Sequence, residues 1–377
     1  MKFFHLIFST LLCVGIIYSA TKTIDTIKQD AINQASSSLQ LTRDIRIAQL
    51  ESEVKTIYSE IRFWADSYPV KEGMSQILTA WSSLSNNPRR SARKLYITEN
   101  PLYPNYTADY FNADDGSSYS DSHEKMHTLL RGLTKIRGYY DVFLIANNGD
   151  IIYTVYKEDD YATNLLTGKY KETTLGQGFR AVHENTNLNH VSLFDFIPYA
   201  PSNNASSSFI QTSIIDSNNK TLGILAFQLP TKPIDTILNN IENDDKNITI
   251  MAVGSDYLLR NHIDKEFIKE KEEYKTIAKA LNDKTGIDLL VDNKGKRTLT
   301  AYAPFNFSQN ILGNTNKNTW AIIVKQDIAE ILKPVEADIK KWLIILITLG
   351  LLSLLFAWLF TRDKEDLAVT EDENNEE

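Results

Sequence analysis

Two histidines one helical turn apart are the residues of this sequence best suited to chemistry. His123 and His127 enclose Glu124 in the segment HEKMH, which has the pattern of zinc peptidases. On a helix such a pair could hold zinc, with the glutamate as general base. The extended form of the motif fails, because Leu130 and Leu133 stand where glycine and histidine are required. The pattern therefore favours histidines that pack near a sheet, and a zinc hydrolase stays as an alternative.

The spacing of the two histidines matters only if the segment is helical. Ser120, Asp121 or Ser122 can cap the start of a helix, because their side-chain oxygens accept from backbone N–H groups. We expect the histidines at the edge of an apolar face that follows at helical spacing, formed by Met126, Leu129, Leu130, Leu133 and Ile136.

The bulk composition describes a folded protein with room for one to three domains. Of its 377 residues, 42% are hydrophobic and 10% are aromatic. The net charge of −8 argues against nucleic acid as a main partner. The sequence has no phosphate-binding or dinucleotide-binding glycine loop, so we expect no cofactor. The single cysteine, Cys13, leaves a long cysteine-free region that is typical of a bacterial periplasm or exterior.

The elements around the histidines begin with a long helix over residues 21–66 and a shorter one over 71–85. Together they form a helical stalk over 21–94. Apolar residues recur at helical spacing, and the stripe rotates slightly after residue 50. Two interpretations are open: the helix covers a sheet of its own chain, or it pairs with a second copy through residues 21–48.

From residue 95 the pattern changes to strands and turns, and KLYITENP at 94–101 is typical of extended chain. Five β-rich runs separated by turns predict an antiparallel meander with helices on one face, which is an α+β fold. The strands are expected at 139–145, 151–157, 191–199, 207–215 and 221–229.

The second half repeats this order in shorter form. Helices are predicted at 233–242 and 265–281, with strands at 248–253, 287–291, 297–305 and 319–326. The last strand leads into a further helix, which Pro334 is expected to kink or to start.

Two apolar segments enclose these elements. Residues 342–360 contain no charge and are long enough for a transmembrane helix. Residues 1–20 are predicted to be an N-terminal anchor, with a signal peptide as the alternative. The acidic end, 361–377, is expected to be a short cytoplasmic tail. We therefore expect a bacterial inner-membrane protein whose main domain is extracytoplasmic.

One run of residues is similar to a known family. GYYDVFLIANNGDIIYTVYKEDDYATNLLTGKY at 138–170, with LGQGFR, FDFIPYAPSN and LGILAFQLP after it, resembles the double Cache sensor domain of bacterial chemoreceptors. Similar ectodomains precede some adenylate and guanylate cyclases. The resemblance implies a long N-terminal helix carrying two PAS-like modules. These are a membrane-distal module at 95–231 and a membrane-proximal module at 232–341.

The sequence departs from that family at two places. Relatives enter the second module through a glycine-rich segment, whereas this chain reads ENDDKNITIMAV at 242–253. No cyclase, kinase or methyl-accepting output domain follows residue 362. We therefore expect the signal to pass to a separate membrane or cytoplasmic partner.

The resemblance also implies a ligand site, because small ligands of Cache modules lie between the sheet and the loops over it. On that basis the ligand-binding candidates are Lys157, Asp160, Tyr161, Asp195 and Tyr199. The aspartates would hold an amine, the lysine a carboxylate, and the tyrosines would form a wall or donate hydrogen bonds. We predict a non-enzymatic sensor of a small molecule. The alternatives are the zinc hydrolase and a truncated receptor relic that no longer signals.

Overall fold

The long N-terminal helix predicted from the sequence is present. A computed structural model describes residues 2–239, 247–260, 271–291, 294–306 and 318–373. Helix α1 runs without interruption over Lys2–Asp66. Within the described ranges, no helix has both the length and the apolar character needed to cross a membrane.

Three further helices precede the first sheet. Helix α2 spans Tyr68–Ser83 and helix α4 spans Ser118–Arg137. Between them, helix α3 (Pro88–Arg93) runs into a wider helical turn at Lys94–Thr98, so the prediction of extended chain at 94–101 is wrong. The reason is local, because the Asn87 side chain caps the Arg90 N–H at 3.2 Å and proline occupies the first helical position.

The first sheet is antiparallel, as expected, but it is not a meander. Its strand order is β2-β1-β6-β5-β3, with β4 paired to β5, so the first strand lies in the interior beside the last one. The run predicted as one strand at 191–199 is broken around Asp195. The bounds are β1 Asp141–Ala146, β2 Ile151–Thr154, β3 Val191–Leu193, β4 Ile197–Tyr199, β5 Ala205–Ile215 and β6 Thr221–Leu229.

The second sheet has four antiparallel strands in the order β7-β10-β9-β8. Its strands are β7 Ile248–Val253, β8 Gly286–Val291, β9 Arg297–Asn306 and β10 Thr319–Asp327. The remaining α-helices of the described ranges are α5 Thr174–His183, α6 Lys232–Asn239, α7 Lys271–Leu281 and α8 Ile328–Glu373. Pro334 lies inside α8. Residues 240–246 and the predicted helical start at 265–270 lie outside the described residues, and the predicted module boundaries stay predictions.

The cores show how the layers stack. One core joins α1, α2 and α4 to the facing sides of both sheets, through residues such as Leu50, Ile61 and Val324. Two separate cores lie on the opposite sides, one beneath α5 and one beneath α7. On α4, Met126, Leu130 and Leu133 are buried as expected, but Ile136 is 83% exposed and does not belong to that face.

Gly223 offers a direct test of the packing between α2 and the first sheet. A Cβ at this position would lie 2.1 Å from Met74 Cε and 2.5 Å from the Ile145 carbonyl oxygen. Because backbone cannot move aside cheaply, Gly223→Ala should destabilise the protein by about 1–3 kcal/mol. The midpoint of urea unfolding measures the effect.

Gly132→Ala is the matched control, because a Cβ at this position on helix α4 would have no heavy atom within 4 Å. Alanine is the better helix former, so this variant should be neutral or more stable by up to about 1 kcal/mol. A Gly223→Ala midpoint at or above that of the unsubstituted protein would contradict the packing described.

Candidate functional site

The two histidines of HEKMH are buried in the core shared with α1. Their rings stack at 5.2 Å with an interplanar angle of 18°. His127 Nε2 donates to the Ala108 carbonyl at 2.9 Å, which leaves Nδ1 to accept from the Tyr153 hydroxyl at 2.9 Å. His123 Nδ1 donates to the Phe111 carbonyl at 2.7 Å. The His127 ring is therefore neutral, and burial lowers the pKa of His123 well below its ordinary value. The two rings hold α4 against the preceding loop and the sheet, and His123 Nε2 is buried without a partner among the described residues.

The side chain of Lys157 contacts His127 and forms no ion pair with a carboxylate of the described residues. Its backbone is left-handed, with φ 51°, and its side chain is fully buried. The ammonium nitrogen donates to the Val155 carbonyl at 3.0 Å and lies 3.3 Å from His127 Nδ1. Burial lowers the pKa of Lys157 to about 7, against the opposing effect of the Asp141 charge. Burial and the Lys157 charge lower the pKa of His127 to about 3.

Asp160 lies on the other side of the sheet. Its Oδ2 accepts from the Tyr199 hydroxyl at 2.6 Å, and Tyr199 belongs to the core beneath α5. The Tyr199 ring packs edge-on to Phe209 at 4.8 Å. Asp160 is fully buried, and its Oδ1 has no hydrogen-bond partner among the described residues. One acceptor of this carboxyl is therefore left unmatched by the described part of the protein.

The sheet supplies two more polar side chains next to this pair. Asp141 on β1 is paired in register with Gln228 on β6, which is itself paired with Phe209 on β5. Residues paired across antiparallel strands point to the same face, so Asp141 and Gln228 share the face of Phe209. The Asp141 carboxylate accepts the backbone N–H groups of Val142 and Val155 at 2.6 and 2.8 Å.

The orientation of the Gln228 amide follows from its neighbours. Ser202 donates its hydrogen to Glu158 Oε2 at 2.6 Å, and Ser207 donates to the Ala205 carbonyl at 3.1 Å. Both serines must therefore accept from Gln228 Nε2, at 3.0 and 2.9 Å. Gln228 Oε1 is then turned away from them, and it is buried without a partner in the described part of the chain.

Three acidic groups make this face of the sheet electrostatically unusual. Burial raises the pKa of Asp160 to about 7, opposed by the Tyr199 hydrogen bond and reinforced by the Glu158 charge. Burial, with repulsion from Asp160 and Glu158, raises the pKa of Asp141 well above its ordinary value. Burial also raises the pKa of Glu158. A cation or a hydrogen-bond donor placed here would relieve both the repulsion and the unmatched acceptors.

The five predicted site residues do not converge at one place. Asp160 and Tyr199 touch, as described. Lys157 lies in the histidine cluster, and the Tyr161 hydroxyl is 2.6 Å from that of Tyr119, in the core shared with α1. Asp195 is bonded to Arg260 of the second module.

Sequence reasoning did not single out Asp141, Ser202 or Gln228. The alternation of strand residues carried a signal for two of them, because Asp141 precedes Phe143 by two positions and Gln228 follows Ala226 by two. Both fall on the inward face of a strand, where a polar residue is informative. Ser202 lies in a short 3₁₀ turn, and only the fold brings it to Glu158.

The described residues form a mixed helix and sheet fold with two antiparallel sheets, and comparison with known proteins gives the family. The chain belongs to the Cache domain family, whose model matches residues 19–335. The resemblance drawn from the GYYDVFLI and KEDDYATNLLTG segments is thereby confirmed. A comparison with curated proteins finds no match.

Solved structures similar to this chain include ligand-binding domains of bacterial chemoreceptors. That of Pseudomonas fluorescens CtaA with L-isoleucine has 12% identity and a TM-score of 0.40, covering 82% of this chain and 97% of its own. That of Campylobacter jejuni Tlp3 with L-valine has 10% identity and a TM-score of 0.46, covering 81% and 97%. That of Pseudomonas aeruginosa PctB with L-Arg has 13% identity and a TM-score of 0.43, covering 79% and 92%.

The structure predicts a packing role for the HEKMH histidines. No group of three or more metal-ligating side chains occurs among the described residues. His127→Ala should lower the free energy of unfolding by about 1–3 kcal/mol, because it leaves the Tyr153 hydroxyl and the Ala108 carbonyl without this partner. Urea unfolding and zinc analysis of the purified protein measure the two expectations.

Glu124→Gln is the control, since Glu124 is exposed and contacts Asn112 at the surface. It should leave stability nearly unchanged. If the unsubstituted protein contained stoichiometric zinc, and if both His123→Ala and His127→Ala lost it, the zinc hydrolase alternative would be favoured instead.

Asp160 should make stability fall as the pH rises. Its folded-state pKa, about 7, lies above the ordinary value of 3.8, so the folded state binds the proton more tightly than the unfolded state. The stabilisation is complete below pH 4 and is lost as the pH rises towards 7. The asparagine of Asp160→Asn stays neutral at every pH. Between pH 4.5 and 8 the free energy of unfolding of this variant should therefore fall by about 1–3 kcal/mol less than that of the unsubstituted protein.

Urea unfolding across that pH range measures the difference, and the other titrating groups are common to both proteins. Asp159→Asn is the control, because Asp159 is exposed and pairs loosely with Arg93 at 3.7 Å. Parallel pH profiles for Asp160→Asn and the unsubstituted protein would rule out the environment assigned to Asp160.

Proposed function

We propose that this protein is a membrane-anchored extracytoplasmic sensor whose first module binds a small molecule at Asp160, Tyr199 and Gln228. Membership of the Cache family supports the sensor role. The observation that carries the proposal is that two acceptors at this site, Asp160 Oδ1 and Gln228 Oε1, are buried without a hydrogen-bond partner among the described residues. Leaving a buried acceptor unsatisfied costs about 1–3 kcal/mol, so a ligand that donates to these atoms gains that energy on binding.

The charge of the site defines the class of ligand. Asp141, Glu158 and Asp160 bring three carboxyl groups to this face, and burial, followed by repulsion from neighbouring carboxylates, raises their pKa values. A molecule with an ammonium, primary amine or similar donor group fits this environment. The aromatic rings of Tyr199 and Phe209 would pack against its apolar part.

Of the five ligand-binding residues predicted from the sequence, Asp160 and Tyr199 belong to the site proposed here. Lys157, Tyr161 and Asp195 stay predictions, with Lys157 as the group suited to a carboxylate.

The membrane anchoring rests on the two apolar segments of the sequence, 1–20 and 342–360. In the second segment the side chains of Trp342, Ile344 and Leu351 are 65%, 64% and 63% exposed. An apolar helix that exposes such side chains fits a lipid environment. The main domain would then lie outside the cytoplasm, with 361–377 as a short tail.

The assembly we propose is a homodimer that passes its signal to a separate partner. Ile27, Leu41 and Ile45 of α1 are 44%, 61% and 46% exposed, and they lie within the 21–48 stretch expected to pair with a second copy. A ligand changes the signalling state only as far as it binds one arrangement better than another.

A thermal-shift screen of the purified full-length chain tests the proposed ligand class. The panel pairs each amine or amino acid with the matching carboxylic acid that lacks the amine, so that only the donor group differs. Because a ligand stabilises the state it binds, at least one amine should raise the melting temperature in a concentration-dependent way. Its amine-free partner should have no effect.

Asp160→Asn and Gln228→Leu should abolish that shift, and the surface control Asp159→Asn should retain it. Variants of Lys157, Tyr161 and Asp195 in the same assay test the remaining predictions. A panel in which no amine acts, or a shift that survives Asp160→Asn, would sink the proposed site.

A further inference from the structure

Asp195 forms a buried contact between the two modules. It lies between β3 and β4 of the first sheet, and its carboxylate accepts from Arg260 Nε at 3.1 Å and from Arg260 Nη2 at 2.7 Å. It also accepts from the Trp320 indole N–H at 2.8 Å. The Arg260 side chain is only 3% exposed and that of Asp195 18% exposed. A bidentate pair in such surroundings fixes direction as well as distance.

Arg260 is held firmly on its own side of this contact. Its Nη1 donates to the Leu258 carbonyl at 2.9 Å, and its Nη2 is 2.9 Å from Asp256 Oδ1. Its backbone N–H bonds to the Ala252 carbonyl of β7 at 2.8 Å. The guanidinium lies so close over Gly254 that a Cβ there would be 1.9 Å from Nη2. Arg260 therefore moves with β7.

The segment 195–199 connects the Asp195 contact to the candidate ligand site. Tyr199, four residues after Asp195, donates to Asp160. The two are joined by β4, which has three residues and pairs with β5. A strand this short has few hydrogen bonds to resist displacement, so a shift of Tyr199 is passed on to Asp195.

Helix α1 supplies a fixed side against which such a shift would act. Arg62 of α1 donates to Thr212 of the first sheet at 3.1 Å. Arg43 donates to the Gly286 and Tyr302 carbonyls of the second sheet at 3.2 and 3.1 Å. Between α1 and the Asp195 contact lies an apolar cavity of about 50 Å³, lined by Ile57, Phe196 and Trp320 among others. Such a void lets packed side chains move where a filled core would not.

We infer that the Asp195–Arg260 pair is a relay, through which a change at Asp160 is transmitted along Tyr199 and β4 to β7 and β10 of the second module. The inference rests on the proposed function, since it gives the ligand site a route to the membrane-proximal half. In the relay, Asp195 acts through Arg260 and is a positioning residue.

Amide hydrogen exchange of the full-length chain, followed by mass spectrometry, tests the relay without any ligand. Asp160→Asn serves as the perturbation, because it removes the charge and keeps the size of the side chain. It should change exchange in the peptides covering β7 and β10 by about threefold or more. Peptides of β8, at the far edge of the second sheet, should exchange as before and so report any global destabilisation.

The same perturbation is then made with the relay broken. In an Asp195→Asn background, which keeps the side-chain size but loses the ion pair, Asp160→Asn should leave β7 and β10 unchanged. Trp320→Phe is the second variant; it removes the indole N–H donor together with part of the buried ring, and it should weaken the response. Tyr199→Phe should likewise disconnect Asp160 from the second module.

Unchanged amide exchange of β7 and β10 in Asp160→Asn alone would overturn the relay. A change in exchange of full size in the Asp195→Asn background would overturn it as well. The outcome is separate from that of the ligand screen. A chain that binds an amine without the exchange response loses only the relay. A chain that shows the response but binds no amine keeps the relay and loses the ligand class.

Discussion

One helix covers a face of both sheets, and the arrangement of the molecule follows from that constraint. Buried residues of α1, including Leu50 and Ile61, belong to a single core with both sheets. Because this face is filled by helices, a polar site with loops over it has to form elsewhere. In the first module it forms on the opposite face, where Asp160 and Tyr199 meet. The position of the candidate site thus follows from the packing of the apolar stripe of α1 against the other face of the sheets.

Burial then gives the candidate site its chemical character. Taking several carboxyl groups out of water raises their pKa values, and the described part of the fold provides too few donors to satisfy every oxygen. The other face holds its basic groups apart, since Lys157 and the histidines lie in the α1-side core. The sheet therefore separates the cluster of Lys157 and the two histidines from the acidic groups around Asp160, where two acceptors have no partner among the described residues.

Much of the fold could be read from local patterns, and the errors share one cause. The continuous α1, the α4 helix and most strands follow from periodicity and capping residues. The meander was wrong because strand order depends on which distant strands pair, and β1 pairs with β6 about 80 residues later. The single strand at 191–199 was wrong because Asp195 turns out of the sheet to meet Arg260. The extended chain predicted at 94–101 was wrong because the helix that begins at Pro88 continues through Thr98, although residues 94–98 have a β-rich composition.

The sequence by itself determined the family and the α+β class, because these depend on residue types close together in the chain. It also placed Asp160 and Tyr199 among the predicted ligand-binding residues, and these two side chains are hydrogen-bonded in the structure. The tertiary structure alone decided that Lys157 and Asp160, three positions apart, lie on opposite faces of the sheet. It likewise brought Gln228 to the acidic side and Asp195 to the second module. Those placements depend on strand pairing and on burial, which act between residues far apart in the chain.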